Sequence, residues 1–265
     1  MQYRRQIQTQ VQMKSLTNYI QEKLIIKKRN NKKYNYFPET KQELQTIIKQ
    51  RIKQEGPEVD LNDIDVSNVT DMSNLFEKFS IFNGDISNWD VSNVTDMSFM
   101  FVDCIKFNQD ISNWDVSNVT DMSGVFSGCK EFNQNISNWD VSNVTDMNCM
   151  FFKCIKFNKY ISNWDVSNVK NMLSMFSGCI RFNIDISSWN VSNVETMEGM
   201  FSDSVFNGDI SKWDVSKVEN MDGMFYFADF DRDISDWNVS RVKSMVDIFS
   251  LSPLSKNPPK WYKYK

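Results

Sequence analysis

The chain has 265 residues, a net charge of −4, 41% apolar residues and no histidine. Without histidine there is no Ser-His-Asp or Cys-His nucleophile pair, no imidazole metal ligand and no histidine pH switch. No run of about eighteen apolar residues occurs, so no membrane-spanning helix is expected, and the apolar content is too high for a wholly disordered chain.

The average charge hides a division. Residues 1–36 carry nine Lys or Arg against one acid, Glu22, whereas residues 61–255 carry 13 bases against 28 acids. Tyr3, Ile7, Val11, Leu16, Ile20 and Leu24 lie at roughly helical spacing, so 1–37 is expected as a basic, flexible or loosely helical segment. A surface for anionic membrane or nucleic acid, or a segment docked on the acidic body, are the alternatives for it. It has no apolar h-region and no small-residue cleavage site, and Gln2 follows Met1 where myristoylation needs Gly. Sec export is therefore not expected, and the cytoplasm, with reduced thiols, is the default compartment. The five Cys are odd in number, which speaks against a closed disulfide framework. The acidic body repels phosphate, so nucleic acid is not an expected partner, and basic or polar proteins are.

Residues 38–60 are expected as an N-terminal cap. Thr40-Lys41-Gln42-Glu43 has the form of a capping box, and Leu44, Ile47, Ile48 and Ile52 share one helix face. Gly56-Pro57 stops that helix.

From 61 to 252 the chain is an internal repeat of about eight units. Trp stands at 89, 114, 139, 164 and 189, then at 213, 237 and 261. Ile-Ser-Asn-Trp-Asp-Val-Ser-Asn-Val-Thr-Asp-Met recurs unchanged from Ile86, Ile111 and Ile136. Val follows each Trp by two and five residues, Met by eight and Phe by twelve, up to Trp237. The unit from Leu61 to Phe82 keeps the register with Ile64 in the Trp slot. Met97, Met100, Phe101 and Cys104 lie at the spacing of one helix face. Asn88 to Ser92 alternates polar and apolar, as a half-buried strand does. One short strand and one short helix per 24–25-residue unit are therefore predicted. A single such unit cannot bury its apolar face, and stacked copies can.

The series Ile86-x-x-Trp89-x-Val91-x-x-Val94 resembles the leucine-rich-repeat consensus, with Asn93 one place before the usual Asn. Residues 61–261 are more closely similar to the BspA-type leucine-rich-repeat family, the 25-residue repeats of mycoplasmal and other bacterial surface proteins. They carry W-D-V-S-N-V-T-D-M-S-x-M-F-x-x-C-x-x-F-N-x-D-I-S almost throughout. Lys256 to Tyr262 looks like a family terminator. The resemblance implies an α/β right-handed solenoid used for binding, often as a surface adhesin, and would move the expected location to the cell surface. Residues 253–265 are expected as a Pro-rich cap in which Pro253, Pro258 and Pro259 block further regular structure and Trp261 packs on the last coil.

Four columns are candidate sites. Asp90, Asp115, Asp140, Asp165, Asn190, Asp214 and Asn238 each follow a Trp, with Ser92, Ser117, Ser142 and Ser167 beside them. On stacked strands these would form a ladder on the concave face, with about 4.8 Å between carboxylates that repel one another. Local hydrogen bonds from Ser hydroxyls or turn N–H groups are the expected offset, and a bound hard cation such as Ca²⁺ is the alternative. Cys104, Cys129, Cys154 and Cys179 share one offset and read as small core residues rather than as a metal or redox centre. Asn83, Asn108, Asn133, Asn158, Asn183 and Asn207 read as buried residues bonding adjacent turns. Trp89, Trp114, Trp139, Trp164, Trp189, Trp213 and Trp237 read as core rather than as a carbohydrate-stacking surface.

Repetition of one polar set is unlike an active site, which needs different groups converging at one place. The expectation is a non-catalytic, monomeric interaction scaffold without cofactor or metal. A surface adhesin and a cation-stabilised structural solenoid are the alternatives.

Overall fold

A computed structural model describes residues 34–264. The expected basic segment lies outside these residues up to position 33. Asn35 and Tyr36 already pair with the first coil, Asn35 N–H to Asp63 C=O at 2.8 Å and Asp65 N–H to Tyr36 C=O at 2.8 Å. The N-terminal cap thus starts before residue 38.

α1, Lys41–Glu55, is the only α-helix among the described residues. The Thr40 side chain accepts from the Glu43 N–H, and Glu43 reaches back to the N–H of Glu39 at 2.8 Å, so two end donors are satisfied. Leu44, Ile47 and Ile48 are buried against the first coil. Gly56 ends the helix at φ 96°, its N–H bonded to Ile52 C=O. Arg51 pins the helix down, with Nη1 2.7 Å from Asp63 and Nη2 2.9 Å from the Asp60 carbonyl, and its guanidinium lies over the Tyr36 ring.

Each repeat then makes one coil, and in the Trp89 unit three Asp-apolar-Ser triplets turn its corners. In Asp85-Ile86-Ser87, Asp90-Val91-Ser92 and Asp96-Met97-Ser98 the Asp Oδ1 accepts the Ser N–H at 2.9, 3.2 and 2.8 Å. The polar ends of each triplet satisfy one another, and the middle residue is buried.

The structure departs from the expected helix and strand. Among the described residues no helix forms over Met97–Cys104. Met100, Val102 and Cys104 donate their N–H three residues back, while Met97, Phe99, Phe101 and Asp103 donate theirs to Asp121, Ser123, Val125 and Ser127 of the next coil. An α-helix would turn every N–H along its own axis. The reversal comes from left-handed backbone at the same two places in each Trp unit, at Phe99 and Asp103, Gly124 and Gly128, Ser174 and Gly178, and so on to Asp247 and Leu251. Two consecutive turns of this kind put Met97, Met100, Phe101 and Cys104 inside, as a helix face would. The stretch around Trp89 is also a turn, with Trp89 N–H bonded to Ile86 C=O at 3.2 Å. Parallel pairing consists of single-residue bridges, seven of them joining the positions seven places after the Trp slot, from Asp71, Asp96, Asp121, Asp146 and Asn171 to Thr196, Asn220 and Ser244, with Tyr36 to Ile64 and Asp60 to Asp85 at the N-terminal end.

Side chains reinforce the register between coils. Trp114 stacks on Trp89 and Trp139 with ring centroids 6.4 and 6.5 Å apart, and its Nε1–H donates to the Ile86 carbonyl. Two Phe columns stack alongside, Phe101 on Phe126 at 5.8 Å and Phe107 on Phe132 at 6.1 Å. At the far end Trp261 continues the Trp column on Trp237 at 6.5 Å and donates to the Ile234 carbonyl, as the Pro-rich cap requires. Among the described residues no helix is long and apolar enough to cross a membrane.

Turn and helix predict opposite signs for two substitutions. Ser174 has φ 51° and Gly178 φ 72°. Ser174→Gly should raise stability by about 0.5–1 kcal/mol and Gly178→Ala should lower it by about 1–2 kcal/mol, because left-handed backbone favours Gly. In a helix Gly would be the worse residue at both positions. Urea unfolding of the two variants reads the sign directly. Trp164→Ala should cost about 3–5 kcal/mol in the same measurement.

Candidate functional site

The Asp column sits on the outer corners of the coils. Asp90, Asp115, Asp140, Asp165, Asn190, Asp214 and Asn238 are all exposed, and Ser92, Ser117, Ser142 and Ser167 are half-buried beside them. The expected strand ladder is therefore a ladder of turns. Asp115 Oδ1 accepts the Ser117 N–H at 3.1 Å and its hydroxyl at 2.6 Å, and Asp90 holds Ser92 in the same way. Asp140, Asp165 and Asp214 accept the Ser N–H at 3.0 Å, and Asn190 and Asn238 at 3.2 Å. Asn serves as well as Asp because one carbonyl oxygen suffices.

At Asp140 and Asp214 these bonds favour the ionised carboxyl. The Ser142 hydroxyl and N–H hold Asp140 below the usual carboxylate range, and Ser216 does the same for Asp214. A second exposed set, which the sequence reading did not single out, behaves alike. Asp110 is held low by Ser112 and Asp233 by Ser235. The signal for it was the Asp-Ile-Ser triplet, which repeats the Asp-Val-Ser corner five residues earlier. Among the described residues no three His, Cys, Asp or Glu side chains gather to hold a metal ion.

The other columns are bonded into the stack. Cys104, Cys129, Cys154 and Cys179 are buried, and each thiol donates to the Phe carbonyl of the preceding coil, at 2.9–3.4 Å. Burial pushes the Cys104 thiol up to about 12 and the other three upward as well, so none is a ready thiolate. The Asn83 column bonds between coils as expected, Asn108 N–H donating to Asn83 Oδ1 at 2.9 Å. It is half-buried to exposed rather than buried, because its amide lies outside the Phe stack. An asparagine ladder also exists where the leucine-rich-repeat register left it one place early. Asn118, Asn143, Asn168 and Asn193 each donate Nδ2–H to a Ser carbonyl of the preceding coil at 2.7 Å. The Trp column is 3–5% exposed, which removes it as a stacking surface.

Three segments, residues 43–161, 125–226 and 202–262, match the model of one family, described as Mycoplasma protein of unknown function, DUF285. The chain belongs to the DUF285 family. The matches start inside α1 and run through Trp261. They overlap one another, as matches to an internally repeated chain do. No curated protein and no solved structure matches the chain.

The acid limb of stability follows from the Asp-Ser corners of this DUF285 chain. Unfolded Asp titrates near about 3.9, and the folded groups titrate lower. Their contribution is complete above the unfolded value and is lost as pH falls through the folded one. The melting temperature should hold between pH 8 and 5 and drop below about pH 4. Asp140→Asn with Asp214→Asn should keep the pH 7 value and shallow the drop. Millimolar Ca²⁺ or excess EDTA should leave the melt unchanged, since binding to the folded state alone would raise it.

Proposed function

We propose that this DUF285 chain is a non-catalytic protein-interaction scaffold that meets basic or polar partners along its exposed Asp column. The observation that carries the reading is the seven-fold presentation of one acceptor group on equivalent corners, from Asp90 to Asn238. None of these side chains is in an ion pair among the described residues, so the carboxylates of Asp90, Asp115, Asp140 and Asp165 remain available to cations. Elsewhere acids do meet bases across coils, as Glu219 meets Lys243 at 2.6 Å and Arg241 at 3.2 Å. Identical, evenly spaced groups suit many small additive contacts to one extended partner.

The kinship to BspA-type repeats and the description of the stack as a right-handed leucine-rich-repeat-like solenoid belong to the same proposal. The parallel pairing and the Asn amide ladder support it. A binding role needs no convergent set of acid, base and nucleophile. Among the described residues every buried side-chain N and O has a hydrogen-bond partner, so none waits inside for a substrate.

Fluorescence anisotropy with a labelled Lys/Arg-rich peptide at low ionic strength tests the reading. The wild-type chain should bind it, with affinity falling as salt rises. Asp115→Asn, Asp140→Asn and Asp165→Asn together should weaken binding at least about tenfold, a loss of about 1.4 kcal/mol, without lowering the melting temperature. Equal binding by the triple variant would sink the proposal.

A further inference from the structure

Every Trp coil up to the sixth hands four backbone N–H groups to the coil that follows. From Met97, Phe99, Phe101 and Asp103 to Met221, Gly223, Phe225 and Phe227, each donor finds its carbonyl at 2.7–3.1 Å. The equivalent groups of the last coil are the N–H groups of Met245, Asp247, Phe249 and Leu251. They have no hydrogen-bond partner among the described residues. The C-terminal cap covers the core beside them, Trp261 lying on Trp237 and Tyr262 edge-on to Phe249, and does not pair the row.

The side chains around this row are apolar and open. Val246 is 65% exposed, Leu251 66% and Phe227, one coil earlier, 60%. The slot of Leu251 and Phe227 is filled by Asp103, Gly128, Lys153, Gly178 and Asp203 in the preceding coils. Polar residues and glycine thus give way to large apolar ones where the row ends. Leu251 also sits at φ 61°, where a bulky residue is costly and Gly is not. Exposed in a left-handed slot that every Trp coil shares, its side chain contributes little to this fold.

The polarity of the row selects the occupant. Four donors need an acceptor at every second residue. A second copy joined tail to tail would set donors against donors. A second copy joined head to tail would need the first-coil carbonyls, in a coil that α1 caps through Lys41 to Asp71 and Arg51 to Asp63. We propose that the end row of the last coil is a docking edge for an extended segment of a different protein. That segment would pair alternate carbonyls with Met245, Asp247, Phe249 and Leu251 in the register of one more coil, and lay apolar side chains over Val246, Leu251 and Phe227. The contact continues the interface that already joins each coil to the next, and follows the logic of adding a strand to an open edge. It does not depend on the Asp column.

The test is amide hydrogen exchange on the full chain, read by NMR, with a synthetic peptide of residues 119–131 as probe. In the stack, the Asp121, Ser123, Val125 and Ser127 carbonyls of that stretch accept the equivalent donors of the Trp89 coil, Met97, Phe99, Phe101 and Asp103. The four end-row amides should exchange fast in the free chain and at least about tenfold more slowly with millimolar peptide. A Val246→Lys/Leu251→Gly variant should melt no lower than wild type and lose the protection. The Asp115→Asn/Asp140→Asn/Asp165→Asn variant should keep it, which separates this edge from the acidic column. No protection at millimolar peptide overturns the proposal. So does protection in the free chain that vanishes when residues 1–33 are removed, which would make the occupant the chain's own basic segment. A concentration-dependent dimer in sedimentation, abolished by the Val246/Leu251 variant, would overturn it in favour of a second copy.

Discussion

Hydrogen bonding from one coil to the next, in a register that places each residue over its counterpart, is the constraint on which the other features depend. Alternate N–H groups from Met97 to Asp103 leave their own coil and reach the following one. That transfer satisfies backbone that has neither helix nor broad sheet to pair with. It also creates the columns. Trp stacks on Trp and Phe on Phe, with ring planes nearly parallel in the central coils. Near-identity of the repeats is then favourable, since equal rings at equal positions pack without voids.

The same register is unkind to charge, because it also sets Asp over Asp. Each carboxylate answers by binding its own Ser two residues on, and at Asn190 and Asn238 the charge is dropped while the acceptor is kept. The change from 25 to 24 residues shows how strictly the core is held. Cys179-Ile180-Arg181-Phe182 becomes Ser204-Val205-Phe206, yet Phe206 still stacks on Phe182 at 6.0 Å. The loss is absorbed outside the Phe column. With it, the bond from the Cys thiol to the preceding coil is replaced by one from Ser204 Oγ to Phe201 of its own coil.

The two ends are chemically unlike, which follows from the direction of the bonds. The N-terminal end is closed by α1, whose apolar face and Arg51 hold it on the first coil. The C-terminal end is closed over the Trp side by Trp261 and left with unpaired donors on the other. The row that runs from Met97 to Asp103 donates toward the following coil in every unit up to the last, so this row cannot end symmetrically.

The repeat period, the buried columns, the N-terminal helix with its Thr40 cap and the seating of Trp261 were legible in the sequence, because each rests on local chemistry or on simple recurrence. The local helix and strand within a unit were not. Two consecutive turns and one helix face place apolar residues at the same intervals, so Met97, Met100, Phe101 and Cys104 read alike in either. Gly124, Gly128, Gly178, Gly199 and Gly223 carried the missing information, since left-handed backbone at those slots is why Gly recurs there. The Asp column was legible as exposed and Ser-bonded, but its place on turns depended on which residues pair between coils. Sequence alone determined what is buried and how often it returns. Tertiary structure alone decided where the backbone N–H groups go, because that choice is made only when a second coil lies within hydrogen-bond reach of the first.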